Sequence, residues 1–258
     1  VAYARDRKQF GRAIIEFPAV AEMISNIKAK LDAGRALLYQ TARYVDIYKA
    51  LEDIARERKL TPEERAEMKK FSKLADAFTP LAKGMNSEYA NQNGYDCIQI
   101  HGGSGFMLEY ACQRIYRDAR ITSIYEGTTQ LQTVAAIRYV TNGFYSSVIE
   151  DYAQMPVASE LESVKARVAA MTEKFNHCVT LVKEAENQEL HDLCARHLYE
   201  MAADIIMCYL LMQNASKAPE LFAQSLQVFA NHSEAEVAKH TSLIERMSAE
   251  QVENYRQA

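Results

Sequence analysis

The segment Lys59-Leu60-Thr61-Pro62-Glu63-Glu64 separates two long stretches of helical periodicity. Thr61 is a typical helix N-cap, Pro62 suits the first helical turn, and Glu64 stands where a capping-box glutamate bonds back to the N-cap. The segment therefore predicts that one helix ends near residue 58 and that another begins at Thr61.

Apolar residues on both sides of this break recur at alternating steps of three and four. This is the pattern of helices packed nearly antiparallel in a bundle. The first helix is predicted from Pro18 to about residue 58, and the second continues toward Ile100. The side chains predicted to face the core are Ile24, Ile27, Leu31, Leu38, Phe71, Leu74, Phe78 and Leu81.

Shorter helices complete this unit. A glycine-rich loop at residues 102–105 ends the second helix, and further helices are predicted at 110–120 and 128–141. No alternating run of β-formers bounded by turn residues supports a strand. The predicted fold class is all-α, beginning with an up-and-down four-helix bundle.

A second, smaller helical bundle is predicted after Met155-Pro156, because beyond this point the helices are separated mainly by capping signals. These signals are Ser159, Asn187, Pro219 and Ser233. They predict three or four more helices. We therefore divide the chain into residues 1–155 and residues 156–258.

The charge and the cysteine content argue against several classes of protein. The formal net charge of −4 and the lack of a basic run argue against nucleic acid as a partner. Five cysteines without paired spacing indicate a reducing cytoplasm rather than a disulfide framework. His191, Cys194 and His197 lie at steps of three, which drift around a helix, so no metal site is predicted.

Two further observations concern the extent of the chain. Its longest apolar run, residues 205–212, is too short to span a bilayer, and no secretion signal is present. The chain opens at Val1 in what reads as the end of a helix. This start leads us to expect a fragment of a longer polypeptide.

The main candidate for chemistry is a lone carboxylate in Ile124-Tyr125-Glu126-Gly127-Thr128-Thr129-Gln130-Leu131-Gln132. Gly127 lets the backbone approach a ligand closely, and an apolar pocket around Glu126 would raise its proton affinity, as a general base requires. The alternative is an ordinary helix start. In that case Thr128 or Thr129 caps the helix and Glu126 complements its dipole.

Three other motifs accompany this loop. They are Arg5-Asp6-Arg7-Lys8-Gln9-Phe10-Gly11, Gln99-Ile100-His101-Gly102-Gly103-Ser104-Gly105-Phe106 and Arg117-Asp118-Ala119-Arg120. Their order and spacing over residues 1–143 resemble the C-terminal helical domain of the acyl-CoA dehydrogenase family. The added C-terminal bundle resembles members with an extended C-terminus.

The resemblance implies α,β-dehydrogenation of an acyl-CoA thioester to the trans-2-enoyl-CoA, with FAD accepting the hydride. It implies that Glu126 is the base and that Tyr125 and Gly127 contact the substrate. It also implies contacts with FAD, some of them across a subunit interface. The implied FAD contacts are Arg7, Gln9, Phe10, Gln99, Gly102, Gly103, Thr128 and Gln130.

The implied partners are acyl-CoA, an electron acceptor such as an electron-transfer flavoprotein, and further copies of the chain in a homodimer or homotetramer. Because the flavin-ring domains of the family have no counterpart here, we expect this fragment to lack bound FAD and activity. Two alternatives stay open. One is a non-catalytic helical scaffold or binding module with the same fold, and the other is an acyl-CoA oxidase.

Overall fold

The computed structural model describes residues 1–257, and almost all of that range is helical, which confirms the all-α prediction. The helices are α1 (Ala2–Asp6), α2 (Pro18–Glu57), α3 (Pro62–His101), α4 (Gly103–Phe106), α5 (Cys112–Thr122), α6 (Thr129–Thr141), α7 (Phe144–Ala153), α8 (Glu162–Glu184), α9 (Gln188–Lys217), α10 (Pro219–Ile244) and α11 (Ala249–Arg256). Short 3₁₀ turns precede α2 and α8.

The two longest helices form a hairpin about the predicted break. Both α2 and α3 have 40 residues, so each is roughly 60 Å long. The Thr61 hydroxyl accepts a hydrogen bond from the Glu64 amide at 3.2 Å, and the Glu64 carboxylate accepts one from the Thr61 amide at 2.9 Å. The predicted capping box is therefore confirmed.

A minimal β-hairpin near the N-terminus departs from the expectation of helix alone. Strands β1 (Lys8–Gln9) and β2 (Arg12–Ala13) pair antiparallel. Phe10 and Gly11 turn the chain with φ of 49° and 84°, as a two-residue hairpin turn requires. Strands of two residues are too short to show alternation, which is why the sequence pattern did not reveal them.

The predicted inward face of α2 was partly wrong. Leu31 and Leu38 are 45% and 49% exposed, whereas Leu37 is fully buried. Small side chains occupy much of the inward face, so α2 packs into the core through residues that a search for large apolar side chains overlooks. The buried apolar residues of α2 are Ala29, Ala33, Ala36, Leu37, Tyr44 and Leu51.

The inward face of α3 agrees better with the prediction. Leu74, Phe78 and Leu81 are buried as predicted. Phe71 is partly buried, as are Ile24 and Ile27 of α2. The prediction was therefore wrong only for Leu31 and Leu38 of α2.

A second correction concerns the predicted helix start at Ser233. This residue is fully buried inside the continuous helix α10. The next helix, α11, begins instead after Ser248, whose hydroxyl accepts from the Gln251 amide in a capping box. A serine three residues before a glutamate also occurs inside helices, so the motif alone did not identify the boundary.

Helix α9 lies at the centre of the structure. Its residues 201–212 are all buried, and the helix contacts α2, α3, α6, α7, α8, α10 and α11. One hydrophobic cluster contains residues of both predicted bundles. The division at residues 155 and 156 stays a prediction, and the core is continuous across it.

Polar contacts fix α9 on α3. The Tyr199 hydroxyl donates to the Pro80 carbonyl at 3.0 Å. The hydroxyl fits there because position 84 is glycine: a Cβ at this position would lie 2.0 Å from the Tyr199 hydroxyl oxygen. The buried Tyr89 hydroxyl donates to Asp204 at 3.1 Å. Burial nonetheless raises the pKa of the Asp204 carboxyl to about 7.

Among residues 1–257, no helix is both long and apolar enough to cross a bilayer.

Replacing Leu37 with Ala should lower the free energy of unfolding by about 2 to 5 kcal/mol, because this fully buried side chain would leave a cavity in the hydrophobic core. The adjacent Leu38→Ala is the matched control. Its side chain is 49% exposed, so the expected loss is below about 1 kcal/mol. Urea unfolding of both variants measures the difference, and equal losses would contradict the orientation of α2.

Asp204→Asn should change stability in a pH-dependent way. The folded-state pKa of this carboxyl is raised from 3.8 to about 7. Between about pH 4 and 7 the folded protein therefore holds a proton that the unfolded chain releases, and wild-type stability falls as the pH rises. Relative to wild type, the variant should gain up to about 4 kcal/mol across this range.

Denaturant unfolding of both proteins at pH 4, 5.5, 7 and 8 measures this gain. A stability difference that does not vary with pH would show that Asp204 is not buried as described.

Candidate functional site

The loop between α5 and α6 presents Glu126 on an unusual backbone. Glu126 and Gly127 both have left-handed conformations, with φ of 50° and 92°. Such a conformation is uncommon for a non-glycine residue and is often found at functional sites. The Thr129 amide donates to the Ser123 carbonyl at 3.2 Å and closes the loop.

Side chains from two helices hold this loop in place. Lys83 of α3 donates to the Gly127 carbonyl at 2.5 Å, and its ammonium lies 5.9 Å from the centre of the Tyr125 ring. Gln132 of α6 donates to the carbonyls of Glu126 and Gly127, both at 3.3 Å. The backbone of the loop is thus fixed, while Glu126 is exposed.

The expected apolar pocket around Glu126 is not formed by the described residues. Instead, the loop is bordered by exposed apolar side chains. Ile124 is 42% exposed, Tyr125 51% and Leu131 58%. No helix of residues 1–257 covers the outer side of the loop, so within this chain the carboxylate faces solvent.

Thr128 and Gln130 occupy the first turn of α6 beside this loop. The Thr128 hydroxyl accepts from the Leu131 amide at 3.3 Å and caps the helix, and Gln130 is exposed. These positions agree with the alternative of a helix cap and a solvated polar residue. The positive end of the helix dipole at this N-terminus also suits an anionic ligand.

The other predicted cofactor residues meet at a second place. Arg7, Gln9 and Phe10 line a cavity of ≈ 530 Å³ together with the end of α3 and the following turn. Gln99 is contributed by the end of α3, and Gly102 and Gly103 by the turn. The structure therefore brings six of the eight predicted contacts together from two distant parts of the chain. Thr128 and Gln130 do not line this cavity.

Aromatic contacts shape the cavity. The Phe17 ring lies 6.2 Å from the ring of Phe10 and 4.1 Å from the Arg12 guanidinium. The Tyr3 ring stacks on His101 at 4.2 Å, and its hydroxyl donates to the His101 carbonyl. Phe10 itself is 93% exposed at the hairpin tip.

The chemistry of this cavity fits part of a dinucleotide. The Arg7 guanidinium suits a phosphate, the Gln9 and Gln99 amides offer hydrogen bonds, and Phe10 offers a flat ring. The fit is incomplete, because the cavity is open and Phe10 is hardly covered.

The sequence did not predict a series of polar side-chain contacts that connects the Glu126 loop to α9. The Thr129 hydroxyl donates to Glu88 at 2.5 Å, and Arg196 of α9 lies 3.8 Å from the same carboxylate. Arg196 also donates to Glu200 at 2.8 Å. Although burial opposes it, hydrogen bonds from His240 and Arg196 lower the pKa of Glu200 to about 2. Helix α9, which belongs to the second predicted bundle, is thus connected to the Glu126 loop by the contacts of Arg196 and Thr129 with Glu88.

No local signal could have identified Lys83, Glu88 or Arg196. Lys83 and Glu88 read as ordinary polar positions of a long helix, and Arg196 lies in the other predicted bundle.

Two family models match nearly the whole chain. The model "Acyl-CoA dehydrogenase, C-terminal domain" matches residues 1–140, and "Acyl-CoA dehydrogenase C terminal" matches residues 141–252.

Two curated relatives illustrate the similarity. The caffeyl-CoA reductase-Etf complex subunit CarC of Acetobacterium woodii is 36% identical over 132 residues, 51% of this chain. The 3-methylmercaptopropionyl-CoA dehydrogenase of Ruegeria pomeroyi is 35% identical over 182 residues, 66% of this chain. In each case the match spans only 28% of the relative's length.

The fold also recurs in a solved structure. The acyl-CoA dehydrogenase of Bacillus anthracis, complexed with FAD, superposes on 98% of this chain with a TM-score of 0.72. The match covers 46% of that protein at 23% sequence identity, which supports the fold alone.

Proposed function

Because the chain belongs to the acyl-CoA dehydrogenase family, we propose that it supplies the catalytic base for α,β-dehydrogenation of an acyl-CoA thioester. The observation that carries this proposal is the Glu126 loop. Its carboxylate is exposed on a left-handed turn whose backbone is held by Lys83 and Gln132.

The proposed role of Glu126 is removal of the proton on the carbon next to the thioester carbonyl. A base for so weak a carbon acid must be well placed before the reaction begins. Fixing the carbonyls of Glu126 and Gly127 limits the positions that the carboxylate can reach. Tyr125 and Gly127, on either side, are proposed to contact the acyl group.

Exclusion of water would come from surfaces that approach the loop. Ile124, Tyr125 and Leu131 already form an apolar border around Glu126. A substrate and a second protein surface lying on this border would transfer the carboxylate to an apolar environment and raise its proton affinity.

FAD is the proposed cofactor, and when bound it would accept the hydride from the β carbon of the substrate. The cavity residues Arg7, Gln9, Phe10, Gln99, Gly102 and Gly103 would hold its nucleotide part. Thr128 and Gln130 lie outside that cavity, at the start of α6. We propose that the two groups contact the FAD of different subunits in a homodimer or homotetramer.

The remaining partners follow from the same proposal. Acyl-CoA is the substrate, and an electron-transfer flavoprotein is the electron acceptor, in keeping with the Etf complex named for the Acetobacterium woodii relative. A cytoplasmic location suits five free cysteines. The boundary at residues 155 and 156 is proposed to separate the base-bearing bundle from the added helices.

A non-catalytic scaffold with the family fold is the second candidate. The exposure of Glu126 in this chain is the observation that favours it. Removal of this one carboxylate distinguishes the two functions. Loss of turnover supports the catalytic role, because a scaffold does not require a base.

Glu126→Gln should lower turnover of acyl-CoA on the order of 100-fold to 10,000-fold in the enzyme that contains this chain together with its flavin domains. The substitution removes the proton acceptor and nearly preserves shape, so flavin content should not change. Rapid-mixing measurement of flavin reduction by acyl-CoA gives the rate.

The matched control is Glu186→Gln. Glu186 is also an exposed glutamate with a left-handed backbone, with φ of 46°, in the loop between α8 and α9. In the Glu186→Gln variant, acyl-CoA should reduce the flavin at the wild-type rate. Rapid flavin reduction in the Glu126 variant would remove this residue from the proposed mechanism.

The chain of 258 residues should purify without flavin and still self-associate. Its cavity offers only part of a dinucleotide site, so much of the free energy that offsets immobilisation of the cofactor is missing. Exposed apolar side chains, among them Phe106 at 80% and Leu108 at 86%, favour contact with a second copy.

Visible absorbance and light scattering on one sample test both parts. A yellow monomer would contradict both, since it would show that a single chain holds the cofactor unaided.

A further inference from the structure

Three potential metal ligands from two helices meet beside the turn that follows α3. Cys97 and His101 are one helical turn apart on the same face of α3, and Cys112 is the first residue of α5. Their ligand atoms, two sulfurs and a ring nitrogen, all lie within 4.8 Å of one another. In sequence the three form Cys-x₃-His-x₁₀-Cys.

The separations suit one tetrahedral ion. Zinc binds thiolate sulfur at about 2.3 Å and imidazole nitrogen at about 2.0 Å, so two ligand atoms on one ion lie about 3.5 to 3.8 Å apart. The Cys97 sulfur lies 3.9 Å from Nδ1 of His101. Movements of about 1 Å or less would bring all three side chains onto one ion.

The imidazole is already held in place. Its ring stacks on Tyr3 at 4.2 Å and meets the ring of Tyr110 edge-on at 5.7 Å. Nδ1 lies 2.7 Å from the Cys97 carbonyl, which can only accept a hydrogen bond, so Nδ1 carries the proton in the metal-free chain, and binding of an ion at Nδ1 requires that the proton move to Nε2.

The cluster is buried on the side of Cys112 and borders a cavity on the side of Cys97 and His101. Cys112 is 4% exposed, and its thiol donates to the Gly105 carbonyl at 3.3 Å. On the other side, Cys97 and His101 line a cavity of ≈ 520 Å³ that is also bordered by α2 and α10. The cavity gives an ion a path and leaves room for a water as fourth ligand.

We propose that Cys97, His101 and Cys112 bind one Zn²⁺ ion with water completing the coordination. Two sulfurs and an imidazole select a borderline-soft ion, and the cluster contains no carboxylate that would favour Mg²⁺ or Ca²⁺. The ion would join the end of α3 to the start of α5 across Gly102 and Gly103. The proposal does not depend on the dehydrogenase function.

Co²⁺, which takes the same coordination as Zn²⁺ and has visible absorption, is the probe. Titration of the reduced chain under anaerobic conditions should give one equivalent of bound Co²⁺, with the near-ultraviolet charge-transfer band of cobalt–thiolate bonds. Added Zn²⁺ should displace it. Cys97→Ser and Cys112→Ser should each weaken Co²⁺ binding about tenfold or more and reduce that band.

The control is Cys178→Ser, a buried cysteine of α8 outside the cluster, which should bind Co²⁺ as the wild type does. His101→Phe keeps a ring stacked on Tyr3 but removes the nitrogen, and it should weaken binding as well. Because Cys97 is only partly buried, Cys97→Ser keeps the test decisive even where Cys112→Ser does not fold.

The proposal fails where the wild-type chain shows no thiolate charge-transfer band with one equivalent of Co²⁺. It fails equally where Cys97→Ser and His101→Phe, folded by circular dichroism, give the wild-type spectrum and affinity.

Discussion

Burial of α9 is the constraint on which the rest of the structure depends. Twelve consecutive residues, 201–212, are buried, so this helix cannot exist in water without neighbours on every side. The surrounding helices supply them, and Tyr199 fixes the position on α3 by bonding the Pro80 carbonyl in the space left by Gly84. The two bundles therefore share one core.

The position of α3 in turn places the candidate base. Lys83 and Glu88 lie between the face that packs on α9 and the loop that carries Glu126. Glu88 links Thr129 to Arg196, and Arg196 is bonded to Glu200 within α9. The helices added after the first bundle are thus connected by polar contacts to the loop, which gives them a structural part in positioning it.

The candidate site is divided over two surfaces, and neither encloses a ligand. Glu126 stands on an exposed loop with an apolar border, whereas Arg7, Gln9 and Phe10 line a separate open cavity with the turn after α3. Fixed backbones with exposed side chains are what a site shared between subunits requires of each chain. This division agrees with the proposal that FAD lies across an interface.

Helical periodicity and capping residues in the sequence were sufficient to determine the all-α fold, the α2–α3 hairpin and the loop of Glu126, because these features depend on neighbours within a few residues. Packing decided which face of α2 is buried, since Ala33 and Leu37 rather than Leu31 lie in the hydrophobic core. Packing also decided that Ser233 lies inside a helix and that Cys112 lies beside Cys97 and His101. Such contacts join residues far apart in the chain, and no local pattern encodes the distance between them.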